Sequence, residues 1–225
     1  ALIFQERQGK ASRLNDALAV ARGEIVLFVD ARQEIERDAL RLMMEDFVEE
    51  AVGCVSGELM LGDAGSEEAE KGMGIYWRVE KMIRELESAS GSVVGATGAL
   101  YAARRALLVP VPSGTILDDV FLPLNIVRQG ARVVFDGRAR AWDSPDLGAR
   151  REFRRKVRTL TGNYQLLQLA PWLLGRENPI RFRFISHKLL RLAVPFALAT
   201  LLVASAAIPQ PLYRAAFLLQ LVFYA

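Results

Sequence analysis

Apolar residues fall into short runs and helical stripes over the first two thirds of the chain, then merge into one long block. Ile25 to Val29 is an apolar run of strand length closed by Asp30. It reads as a buried strand with a carboxylate at its C-terminal end, where open α/β sheets place ligand chemistry. Upstream, Leu14, Leu18 and Ala21 recur at helical spacing from Lys10 and stop at Gly23. With Ala1 to Phe4 as a first strand, these segments make one βαβ unit. Leu40, Met43, Met44 and Phe47 point to a helix over 38–50, and Val52 to Leu61 to a strand. A turn over 62–66 leads into a charged helix with Ile75, Tyr76, Val79, Met82, Ile83 and Leu86 along one face. Val93 to Ala102 reads as a glycine-rich strand, 117–129 as a helix closed by Gly130, and 133–135 as a returning strand. Such alternation predicts an α/β fold with a mainly parallel sheet covered on both faces.

The terminal block changes the picture. No charged side chain occurs from Leu192 to Tyr213, a stretch long enough for a membrane crossing at roughly 20 residues. Pro209 and Pro211 interrupt it, so the expectation is a first membrane helix over 189–208 and a second from Leu212 onward. Between domain and block, Phe153, Val157, Leu160, Tyr164 and Leu167 share a helical stripe flanked by Arg154, Arg155, Lys156 and Arg158. This pattern suits a helix lying at a lipid interface, and equally one packed on the soluble domain with its basic face in water. The predicted organisation is a catalytic domain over 1–148, interface helices over 149–188 and membrane helices over 189–225.

Net charge is only +3 over 225 residues, yet the segment before the membrane block is strongly basic. The positive-inside rule then places the folded domain in the cytoplasm. A membrane helix directly behind the basic run argues against nucleic acid as partner. Cys54 is the single cysteine and His187 the single histidine. An internal disulfide, a multi-histidine metal site and a histidine-based triad are therefore excluded within this sequence. The abrupt first strand, without an initiator Met, and a final apolar helix running to the last residue are expected of a piece of a longer protein.

Gly9-Lys10-Ala11-Ser12-Arg13-Leu14-Asn15, the strand ending in Asp30-Ala31-Arg32, Gly95-Ala96-Thr97-Gly98-Ala99, Leu117-Asp118-Asp119 and the basic run Arg154 to Arg158 follow one another in an order that resembles the membrane-embedded, processive family 2 glycosyltransferases. Ser186-His187-Lys188 before the apolar end continues the likeness. The resemblance implies a GT-A catalytic domain and sugar transfer from a nucleotide-sugar donor to a lipid or growing glycan at the cytoplasmic face of a bacterial inner membrane. Inversion at the transferred carbon is implied with it.

Carried over by position, the resemblance makes Asp119 the base that takes the acceptor proton, with Asp118 as its orienting neighbour. Asp118 and Asp119 also suit a plain helix start, where acidic residues offset the dipole. Lys10, Asp30 and Arg158 are implied to bind the donor or its diphosphate, Arg32 is a candidate for the same task by its charge alone, and Gly95, Ala96, Thr97 and Gly98 are implied to line the acceptor. Tight packing against a helix would call for the same small residues.

Asp30 is the first carboxylate of what resembles an Asp-x-Asp motif that holds Mg2+ or Mn2+. Its third position is Arg32, which could instead neutralise a diphosphate directly or pair on the surface with Glu34 or Glu36. Arg155 and Thr159 stand where the family's Gln-x-x-Arg-Trp motif has Gln and Trp, which bears on processivity. Trp142, Trp77 and Tyr76 are candidate sugar-stacking rings, with packing as the default. The competing function is a non-catalytic relative that binds glycan or scaffolds a membrane complex. A nucleotidyltransferase is disfavoured by the membrane block.

Overall fold

A computed structural model of the chain describes residues 8–62, 75–143 and 148–224. The expected first strand over Ala1 to Phe4 and the turn over 63–66 lie outside the described residues. Strands β1 (Ile25–Val29), β2 (Glu34–Ile35), β3 (Val52–Leu61), β4 (Leu100–Arg104) and β5 (Arg132–Asp143) form one sheet in the order β1-β4-β3-β5-β2. Helices α1 (Lys10–Val20), α2 (Ala39–Asp46), α3 (Ile75–Ala89), α4 (Asp118–Arg128) and α5 (Ala149–Leu169) accompany it.

The α/β class holds, while the mainly parallel pairing is corrected among the described strands. β3 and β5 run parallel, whereas β1 with β4, β3 with β4 and β2 with β5 are antiparallel. The reason lies in 92–99, read from sequence as the first half of a strand. Here the chain is irregular, and only Leu100–Arg104 enters the sheet. Two glycines and no bulky side chain over 95–98 leave that backbone no packing reward for extending.

β1 is also less buried than its apolar letters imply. Phe28 is buried, but Leu27 and Val29 are exposed, and among the described strands β1 pairs only with β4. β5 is longer than the expected 133–135, because Arg138 and Arg140 alternate with buried Ala139 and Ala141 and hide its continuation from an apolar count.

The core follows the amphipathic pattern. Ala39, Met43 and Phe47 of α2 pack with Val52, Val55, Leu100, Ala102, Val134, Ala139 and Ala141 of the sheet. Each large apolar side chain contributes about 1.5–3 kcal/mol when taken from water. α4 also contacts β3 and β5, pressing Ile126 onto Gly53, where a Cβ would lie 2.6 Å from its Cγ2. Cys54 is fully buried, and burial pushes its thiol far above the ordinary value, so it acts as a small core hydrophobe.

The chain divides into two compact units, residues 1–182 and Arg183–Ala225. The second contains α6 (Leu190–Ala207) and α7 (Pro211–Tyr224). Arg181–Ala207 is a continuous helical run containing an 18-residue stretch of mean hydropathy 2.0, long and apolar enough to cross a membrane. One helix long and apolar enough for a crossing is thus found among the described residues, and α7 runs from Pro211 to Tyr224.

Candidate active site

Asp30 leaves the sheet at the end of β1, where its N–H donates to Ala99 O at 3.3 Å and its carbonyl accepts the Gln33 N–H at 3.2 Å. The resulting turn swings Arg32 outward. Its guanidinium pairs with Asp143 at 2.9 Å, across the Glu34–Trp142 register pair of β2 and β5. The partner expected from local sequence, Glu34 or Glu36, is thus replaced by a buried carboxylate at the far end of β5. Sequence reading missed Asp143 because it closed that strand at Phe135. Trp142 is a core residue, 3% exposed, whose indole N–H donates to Glu36 at 2.8 Å.

α1 brings the second cation. Its N-cap Gly9 has φ 84°, a conformation that favours glycine, and Lys10 follows as the first helical residue. Lys10 Nζ lies 2.9 Å from Asp118 Oδ2, with the lysine side chain half exposed and the aspartate 4% exposed. Asn15 fixes the distance between the two helices. Its amide donates to Val111 O and accepts from Val111 N–H, both at 2.8 Å, tying α1 to the segment that leads into α4.

α4 opens with Asp118 and Asp119 in its first turn, and Pro123 sits inside it. Proline has no N–H to return to the carbonyl four residues earlier. That carbonyl belongs to Asp119, and it accepts the Ala96 N–H instead, at 2.9 Å. The loop over 95–98 is thereby held against the start of α4. A Cβ on Gly98 would lie 2.7 Å from Asp119 Oδ2, and one on Gly95 3.3 Å from Val120 Cγ2. Both glycines thus pack closely on the start of α4, Gly98 against the Asp119 carboxylate and Gly95 against Val120.

Thr97 is held from the other side: its N–H donates to Ser56 Oγ at 2.8 Å, and Arg84 donates to its Oγ1 at 2.7 Å. Burial pulls the Arg84 guanidinium below its ordinary value, while Glu80, Glu58, Glu87 and Asp119 pull it back up.

Tyr101 was not singled out from sequence. It is 1% exposed, stacks on Phe28 at 4.3 Å between centroids, and has no hydrogen-bond partner at its hydroxyl among the described residues. Burial is the main reason its phenol is pushed far up, and Asp118, Asp119 and Asp30 add to the shift. Three predicted site carboxylates thus act on one buried ring. Its place opposite Phe28 on the neighbouring strand is a cross-strand register that no local sequence signal gives.

Arg158 lies on exposed α5. Gly162, one turn later on the same helical face, packs where a Cβ would come 2.6 Å from Leu117 Cγ. Gln165 accepts the Ile116 N–H at 2.9 Å and donates to Gly114 O at 2.9 Å. α5 is therefore docked on the residues that precede Asp118. Thr159 spends its hydroxyl on the Arg155 carbonyl at 3.0 Å.

Among the described residues, no group of three His, Cys, Asp or Glu side chains is placed to hold a metal ion. Asp30 is one carboxylate, Arg32 occupies the position of a second, and Asp118 is engaged by Lys10. A hard divalent cation wants several oxygens. The described side chains do not form such a site by themselves.

Residues 1–109 match the model of glycosyl transferase family 2. No curated protein matches the chain. Among solved structures, the mannosyltransferase PcManGT from Pyrobaculum calidifontis, in complex with GDP-Man and Mn2+, superposes with a TM-score of 0.66 at 24% identity, over 96% of this chain and 64% of that one. The chain thus spans just under two thirds of that enzyme's length. Glucosyl-3-phosphoglycerate synthase from Mycobacterium tuberculosis gives 0.40 at 20% identity, over 60% and 46% of the two chains. Mannosyl-3-phosphoglycerate synthase from Rubrobacter xylanophilus gives 0.42 at 19%, over 72% and 52%. The chain therefore shares the GT-A fold of that mannosyltransferase, and its residues 1–109 are similar to glycosyl transferase family 2.

Proposed function

We propose that the chain is the catalytic part of an inverting glycosyltransferase that moves a sugar from a nucleotide-sugar to a lipid or growing glycan. The acid pair at the start of α4 carries this reading. Lys10 balances the charge of Asp118, and Asp119 is held by its carbonyl to Ala96 with its carboxylate against Gly98. A base fixed at a helix start beside a backbone with almost no side-chain bulk suits an acceptor hydroxyl approaching a sugar.

The acceptor oxygen attacks the anomeric carbon and forms the new C–O bond as the bond to the diphosphate oxygen breaks. The nucleoside diphosphate leaves with that electron pair, and the acceptor proton passes to the Asp119 carboxylate. A single displacement inverts the carbon. Lys10, Arg32 and Arg158 are the cations assigned to the leaving diphosphate, where fixed positive charge lowers the barrier. Asp30 closes the donor side at the tip of β1.

The chain works at the cytoplasmic face of a bacterial inner membrane in this reading. The run Arg181–Ala207 has the length and hydropathy of a crossing. α5 exposes Phe153, Val157, Leu160 and Tyr164 beside its basic residues, the combination that favours an anionic lipid surface.

One observation favours a second reading. Arg32 occupies the second motif position and is already paired with Asp143, as expected of a relative that binds glycan without turning over.

Nucleotide release from a panel of UDP- and GDP-sugars, in acceptor membranes with Mg2+, Mn2+ or EDTA, separates the two. Donor-specific release lost in Asp119→Asn supports transfer, and release that persists in EDTA assigns diphosphate neutralisation to the three cations. A folded protein silent across the panel supports the binding role.

A further inference from the structure

A cavity beside the acid pair has no part in the steps above. Trp77, Glu80, Lys81 and Arg84 of α3 line it with Glu58 of β3 and Phe135 of β5, and it encloses ≈ 120 Å³. A single water needs about 10–15 Å³ of such space, so the cavity has room for a ligand of sugar-ring size.

Its polar groups are matched in charge. Lys81 Nζ lies 2.8 Å from Glu58 Oε2, with Arg140 Nε 3.8 Å from the same oxygen. Arg84 donates to Ser56 Oγ at 2.8 Å and to Thr97 Oγ1 at 2.7 Å, and stands over the Phe135 ring at 4.4 Å. Of the charged side chains that line the cavity itself, two are carboxylates, Glu58 and Glu80, and two are cations, Lys81 and Arg84, with Arg140 outside the lining and paired to Glu58. An anion entering the cavity would meet both carboxylates without a surplus of positive charge.

Trp77 is 42% exposed and meets Tyr76 edge-on, at 6.2 Å and 79° between rings. An indole face beside carboxylates and an ammonium is the chemistry that recognises a neutral pyranose. Its C–H face packs on the ring, and its hydroxyls donate to the carboxylates and accept from the lysine. The cavity also reaches the acid pair. Thr97 forms part of its wall, and the next residue, Gly98, touches the Asp119 carboxylate.

We infer that this cavity seats a neutral hexosyl unit of the acceptor, stacked on Trp77 and held by Glu80 and Lys81, with the hydroxyl to be glycosylated directed past Thr97 toward Asp119. The acceptor is then a glycan end rather than a small phosphate. This rests on the transfer reading above and names the substrate class of that site.

Saturation-transfer NMR on the full chain in nanodiscs tests it, with methyl α-D-mannopyranoside and methyl β-D-glucopyranoside as probes and inorganic phosphate as the anionic rival. At least one hexoside should bind. Trp77→Ala and Glu80→Gln should each weaken it by about fivefold, the scale of one stacking or hydrogen-bonding contact, with circular dichroism unchanged. The inference is overturned if neither hexoside binds the wild type, if both variants bind as the wild type does, or if phosphate displaces the hexoside.

Nucleotide release on the same samples keeps the two readings apart. Trp77-dependent hexoside binding without release overturns transfer and leaves a glycan-binding cavity. Release without Trp77-dependent binding overturns the cavity's role alone.

Discussion

Pro123 leaves the Asp119 carbonyl without its helical donor, and the Ala96 N–H takes that place at 2.9 Å. A proline that weakens a helix by its own propensity thereby ties the loop over 95–98 to the acid pair. In Pro123→Ala the restored N–H competes for the carbonyl. Helix propensity then keeps the melting temperature at or above that of the wild type, while Ala96 amide exchange, followed by hydrogen-exchange mass spectrometry, accelerates. Unchanged exchange at Ala96 would contradict the assignment.

Gly98 is tight against the end of a side chain, not against backbone. In Gly98→Ala the new Cβ has 2.7 Å to Asp119 Oδ2, so the carboxylate must swing away. The fold should lose roughly 1 kcal/mol or less, as a terminal rotamer adjusts, while nucleotide release falls about tenfold or more with the displaced base. A loss of stability as large as the loss of rate would mean that the glycine serves packing alone.

Lys10 balances a buried charge. Lys10→Ala leaves Asp118 desolvated and unpaired, at a cost of about 1–3 kcal/mol, read from urea denaturation. Combining it with Asp118→Asn should recover most of that loss. If the double variant is as unstable as the sum of the singles, the pair has no coupling.

Asp46 gives a pH dependence remote from the site. Burial and the neighbouring Asp136 raise its carboxyl to about 6, with Arg138 opposing. The folded state therefore holds this proton more tightly than the unfolded one. Its contribution to stability is full below about pH 4 and lost as pH rises toward 6. Asp46→Asn should raise the melting temperature at pH 7–8, by the equivalent of roughly 1 kcal/mol after solvent screening, and the gain should vanish near pH 4. A gain that grows toward acid pH would contradict the sign.

Most elements were legible because an apolar run or stripe ends at a polar or glycine boundary. The span of β3 over Val52–Leu61 and the starts of α1 and α4 follow from apolar runs and acidic or glycine boundaries. Segments whose structure answers to a distant partner were not. The loop over 92–99 is shaped by Asp119 and Ser56, and the end of β5 is marked by an ion pair with Arg32 rather than by apolar letters.

At the candidate site, local motif order singled out Lys10, Asp30, Asp118 and Asp119, and the fold brings Lys10 against Asp118. The Lys10–Asp118 pairing, the three carboxylates acting on Tyr101 and the role of Asn15 arise from contacts between elements far apart in sequence. No spacing rule encodes those.

The central claim is that Asp119 takes the acceptor proton. Acceptor-dependent nucleotide release by wild type and Asp119→Asn, in the same membranes and with equal donor affinity, tests it most directly. The account predicts a fall of at least about 10²-fold, the lower range for removing a general base, with donor binding intact. Release by Asp119→Asn within a few-fold of wild type would contradict it.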